Sequence, residues 1–113
     1  MLGTSLSSLL GHSDRVRQVR KADLTVGDRV FVKTCNSVYR IEALGNGMYA
    51  VSGGWFDRKG SSPATTKIVG CSWGGSVIKV DVVAACGLRL EFGNCVVTSP
   101  VKKIFVMQHH YNN

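Results

Sequence analysis

The sequence predicts an all-β fold, a small closed or nearly closed antiparallel barrel with a short N-terminal helix. Three observations predict it. From Leu24 onward, apolar and polar residues alternate over short stretches with a period of two. Glycine and asparagine interrupt that alternation every eight to twelve residues. No long stretch of helical period lies between the apolar segments, which argues against a parallel sheet with crossover helices. Closure is physically attractive, because an open sheet of seven or eight short strands leaves two edges unpaired.

The strands follow in order. Arg29 to Thr34 alternates, and Cys35-Asn36-Ser37 reads as a turn. Val38 to Leu44 comes next, then Asn46-Gly47, a pair suited to the positive φ angles of a type I′ hairpin turn, with Met48 to Ser52 as the returning strand. Residues 57–65, DRKGSSPAT, form the one long polar loop. Thr66 to Trp73 is a strand that Gly74-Gly75 breaks. Val77 to Ala84 puts Ile78, Val80, Val82 and Ala84 on one face. Leu88, Leu90 and Phe92 alternate with Arg89 and Glu91, and Gly93-Asn94 turns into Cys95 to Thr98. Ser99-Pro100 interrupts the chain before a last strand, Val101 to Met107.

At 113 residues the chain is the size of one domain. It divides into an N-terminal segment over 1–23, the barrel over 24–107 and a frayed tail over 108–113. The N-terminal helix rests on Ser5 as cap, Leu6, Leu9 and Leu10 on one side, and Gly11 as terminator. The first ten residues lack the basic leading segment and long apolar run of a signal peptide, and no stretch is long enough for a membrane helix. A cytoplasmic protein with no membrane partner is the expectation.

Two segments resemble SH3-like small β-barrels. Leu24-Thr25-Val26-Gly27-Asp28-Arg29-Val30 is similar to the entry into their first strand, where the glycine makes a tight turn and the aspartate braces it. Val97-Thr98-Ser99-Pro100-Val101-Lys102-Lys103-Ile104 resembles their ending, a short helical turn followed by the closing strand. Stretches such as NSVYRI and VSGGWFD are also similar to small uncharacterised bacterial β proteins. The resemblance implies a fold and no activity, since such barrels serve many functions. Nine aromatics and few acids argue against a proline-peptide-binding SH3 domain.

Catalytic and metal chemistry find no footing. His12, His109 and His110 lie in terminal segments, and a general base needs a fixed position and a tuning partner. Adjacent histidines on a strand point to opposite faces. The seven acids are scattered singly. Cys35, Cys71, Cys86 and Cys95 contain no CxxC pair, so Cys71 and Cys86 read as small buried hydrophobes. Neither Trp73-Gly74-Gly75-Ser76 nor Gly53-Gly54 completes a nucleophile elbow or a phosphate loop. No enzyme, no metal and no cofactor are expected.

Binding is the remaining class. Fourteen Lys and Arg against seven Asp and Glu give a net charge of +7, which favours nucleic acid or another polyanion as partner. Arg15, Arg17, Arg20 and Lys21 form the densest basic cluster. Extended or helical, that segment presents cations to a phosphate backbone. Arg58 and Lys59 at the tip of the long loop offer a second contact, and Lys102 and Lys103 point to opposite faces of their strand. Trp55, or Trp73, either stacks on a base or packs over the bare backbone of the neighbouring glycines. The competing class is a protein-protein or self-assembly module, a homodimer being its commonest form, seated on LSSLL or on a strand edge.

Overall fold

The structure is a computed structural model and describes residues 14–74 and 77–109. The helix expected over residues 5–11 lies outside the described residues. The strands are β1 (Asp14–Val16), β2 (Gln18–Arg20), β3 (Arg29–Thr34), β4 (Val38–Gly45), β5 (Met48–Gly53), β6 (Ala64–Thr66), β7 (Ile68–Ser72), β8 (Ile78–Lys79), β9 (Val82–Ala85), β10 (Arg89–Phe92) and β11 (Val97–Met107). Among the described residues, a 3-10 turn, Lys21–Asp23, follows β2, and one short helix, α1 (Gly54–Arg58), follows β5.

All the pairings are antiparallel, as the alternation predicts, but the sheet does not close into a barrel. The order runs β6-β5-β4-β3-β11-β10-β7-β8, with β1 on β11 and a separate β2-β9 ribbon. Among the described residues no pairing joins β6 to β8. The reason is β11. Its first half pairs with β10, Arg89 opposite Pro100, while its second half pairs with β3 from Val101 to Met107. β1 takes the other edge of that second half, Val16 opposite Ile104. One long strand thus belongs to two half-sheets, and the expected helical turn at Ser99-Pro100 is absent because the strand runs through it. Proline lacks an N–H, and a register shift in the β10–β11 pairing accommodates it.

Both half-sheets and the ribbon share one core. Val30, Val32, Ile41 and Val51 from the first half meet Ile68, Leu90 and Phe92 from the second. All four residues of β9 are buried, and β9 packs against β7, β10 and β11. The strand expected over 77–84 is split by a turn at Val80-Asp81, which leaves Val80 61% exposed. The turn is held from outside, since the Lys21 N–H donates to the Asp81 carbonyl at 2.8 Å.

Local chemistry explains the corners. Asn46 and Gly47 have φ angles of 56° and 76°, the signature of a type I′ turn. Asp28 is buried, and its carboxylate accepts from the Thr25 N–H at 2.9 Å, the bracing that the Leu24–Val30 motif implies. It also accepts from the His109 N–H at 2.8 Å, so the start of the tail is tied to the first long strand. The polar loop opens with α1, whose buried Phe56 anchors it. The Asp57 carboxylate accepts from the Ser62 hydroxyl and the Gly53 N–H. Those bonds, with the Arg40 charge, hold its pKa below the ordinary value.

The cysteines behave differently from one another. Cys71 is buried in the core, and that burial pushes its thiol up to about 11; Cys35 and Cys95 are exposed. The thiolate is the nucleophile, and a raised pKa keeps the thiol protonated until the pH approaches 11. A chromogenic disulfide reagent at pH 8 is therefore expected to titrate Cys35 and Cys95 quickly and to reach Cys71 only after unfolding. Rapid reaction of Cys71 in the folded protein, read by peptide mapping, would contradict this placement.

Candidate nucleic-acid interface

The chain from Asp14 to Arg20 is extended, a bend at Arg17 divides it between two sheets, and the 3-10 turn Lys21–Asp23 follows. β1 continues the first half-sheet and β2 pairs with β9. The basic cluster is therefore spread out. Arg15 is exposed on the face of β1 away from the core, since its neighbour Val16 packs inward. Arg17 lies at the bend, its carbonyl accepting from the Cys86 N–H at 2.8 Å. Arg20 is engaged locally, its guanidinium 3.5 Å from Asp23. The Lys21 ammonium donates to the Val69 carbonyl at 3.4 Å.

Arg58 and Lys59 stand elsewhere. They end α1, which packs on β5, far along the strand order from β1. The Arg58 guanidinium donates to the Ser37 hydroxyl at 3.3 Å, and Lys59 is exposed. Trp55 is half-buried against the core, edge-on to Phe56 at 5.3 Å between ring centroids. Packing accounts for it. The structure does not bring Trp55, Arg58 and Lys59 together with Arg15 and Arg17.

Trp73 differs, with 65% of its surface exposed. It follows the last residue of β7 in a bend where the Gly74 N–H donates to the Ser72 hydroxyl at 3.4 Å. Its neighbour Gly74 carries no side chain that could cover the indole. A large apolar ring left in water forgoes about 25 cal/mol for each Å² it could have buried, so an exposed tryptophan is an uncommon arrangement.

Two hollows meet at this ring. One is lined by Ser72, Trp73, Gly74, Arg89, Glu91 and Val97. Arg89 lies close over the bend, for a Cβ added to Gly74 would stand 3.5 Å from its Nε. The other hollow is lined by Arg17, Trp73, Lys79, Cys86 and Leu88, among others. Trp73 thus stands between Arg89 on one side and Arg17 with Lys79 on the other, against one carboxylate, Glu91. An aromatic face among cations is the arrangement that grips a base and its flanking phosphates.

Of this group the sequence singled out Arg17 among the cations and named Trp73 beside Trp55 as an aromatic. Lys79 and Arg89 were hidden, because they reach the site only through the β8–β7–β10 pairing, Lys79 opposite Cys71 and Arg89 opposite Ser72. Among the described residues no group of three or more His, Cys, Asp or Glu is placed to hold a metal ion. Among them, too, no helix is long and apolar enough to cross a membrane. Comparison of the chain with protein-family models, with curated proteins and with solved structures finds no match.

Proposed function

We propose that the protein is a non-catalytic module that binds single-stranded nucleic acid. A base stacks on Trp73, and the neighbouring phosphates meet Arg17, Lys79 and Arg89. The observation that carries this reading is the exposed Trp73 ring at the junction of two hollows that hold three cations. The net charge of +7 supports it by drawing a polyanion to the surface. Stacking tolerates any base, so the specificity expected is for single strands over duplex rather than for a sequence.

The test is fluorescence anisotropy with a labelled single-stranded homopolymer at low salt. Trp73→Ala is expected to weaken binding by about 5- to 150-fold, the range measured when one stacking aromatic is removed. Equal affinity of the variant and the parent protein would refute the reading.

A second reading, a protein interface, draws on Val77 and Val97, which are 66% and 51% exposed in the same region as Trp73. Salt separates the two, because phosphate binding collapses as salt rises and an apolar interface does not.

A further inference from the structure

A second basic surface lies on the outer face of the first half-sheet. Val30, Val32 and Thr34 of β3 are buried, so Arg29, Phe31 and Lys33 face the other way. Register extends this face across four strands. One row reads Arg15 on β1, Phe105 on β11, Phe31 on β3 and Arg40 on β4. A second places Lys103 on β11 directly opposite Lys33 on β3. A third places Arg29 opposite Glu42.

Five exposed cations, Arg15, Arg29, Lys33, Arg40 and Lys103, therefore share a face; among the described residues its carboxylates stand at the Arg29 and Arg40 end, Glu42 at 3.6 Å from Arg29 and Asp57 lining one hollow with Arg29 and Arg40. Phe31 is only 6% exposed, so the face presents its cations and not this ring.

The Lys33–Lys103 pair is the telling feature. Like charges directly opposite each other on adjacent strands repel. Among the described residues the ion pairs are Arg20–Asp23 and Arg29–Glu42, so neither lysine has a carboxylate partner there. The chain departs from regular pairing to create this juxtaposition. Val101 is buried opposite Thr34, and simple alternation would turn Lys103 back to the core side. A bulge between Val101 and Lys103 adds one residue and aims Lys103 outward instead, leaving Lys102 exposed as well. The expectation that these two lysines serve opposite faces fails for the same reason.

We propose that this face is a second binding surface, whose occupant is the phosphodiester backbone of a nucleic acid, with a phosphate seated between Lys33 and Lys103. Arg15 to Arg40 spans three strand spacings, about 14 Å, a reach that suits an extended polyanion better than a lone phosphate. Three of the five cations are arginines, whose planar fork matches phosphate oxygens. The inference shares with the preceding section only the class of ligand and does not depend on stacking at Trp73.

The test uses the full chain and a labelled single-stranded homopolymer, with the slope of log affinity against log salt as readout. Lys33→Ser/Lys103→Ser is expected to flatten that slope by about 0.7, the contribution of the one phosphate seated between the two lysines on a single strand. Lys33→Arg/Lys103→Arg is expected to restore it, which separates charge from any effect on folding. A slope unchanged in the serine variant overturns the proposal while leaving Trp73 untouched. If Trp73→Ala is silent and the serine variant is not, the stacking reading falls and this one stands. Absence of strand binding in the parent protein at low salt overturns both. Poly-glutamate that binds the face with no strand binding would assign it to an acidic protein and overturn it as well.

Discussion

Phe56→Ala is expected to cost about 3–5 kcal/mol, the usual range for deleting a buried aromatic ring, against a total stability of about 5–15 kcal/mol for a domain. Phe56 is fully buried, yet it comes from a helix of five residues whose other side chains are half-buried or exposed. Its ring meets Phe92 at 5.0 Å and Tyr39 at 6.3 Å, both edge-on, so two strands, β10 and β4, and the helix converge on it. So short a helix has little stability of its own, and Phe56 is its one fully buried anchor. Urea denaturation checks the prediction through a large drop in the midpoint. Phe56→Leu, which keeps most of the volume, is expected to lose less than half as much. Equal small losses in both variants would mean that the ring is not the anchor.

The second large effect is expected at Gly53. Its φ of 95° lies in the region that side chains avoid, and a Cβ there would come within 2.1 Å of the Val38 carbonyl oxygen. That oxygen is backbone, and Gly53 pairs with Tyr39 across β4 and β5, so relief of the clash means opening the end of the hairpin. Gly53→Ala is expected to destabilise by more than the roughly 1–3 kcal/mol that backbone strain alone costs. Gly47→Ala supplies the comparison. Gly47 also has positive φ, 76°, but nothing within 4 Å of an added Cβ, so only the strain of about 1–2 kcal/mol is expected. Thermal midpoints of the two variants measure the difference. Similar midpoints would show that the Val38 carbonyl can yield.

Features written in short stretches of sequence were legible. The Asn46-Gly47 turn, the Asp28 brace and the alternation of β3 and β10 each depend on residues within a few positions of one another. Features that depend on distant pairing were not. Closure fails because β11 changes partners midway, and its bulge beside Val101 adjusts a long-range register that no local pattern announces. The α1 helix is shorter than two turns, too short to show a helical period. The candidate site was half visible for the same reason. Arg15 and Arg17 are near neighbours in sequence, but the bend at Arg17 sends one to the first half-sheet and the other towards Trp73. Trp55 and Trp73 look alike beside their glycine pairs. What distinguishes them is that Trp55 lies in a helix with Phe56 to pack on, whereas Trp73 leaves a strand and has no ring contact among the described residues.

That contrast also gives the most direct measurement. Trp55 and Trp73 are the two tryptophans of the chain, so Trp55→Phe leaves the fluorescence of Trp73 alone. A single-stranded homopolymer is expected to quench this emission at low salt, saturably, and added salt to restore it as the phosphates leave Arg17, Lys79 and Arg89. Emission that stays constant at low salt with the strand in excess would contradict it, and Trp73 would then belong to a protein interface.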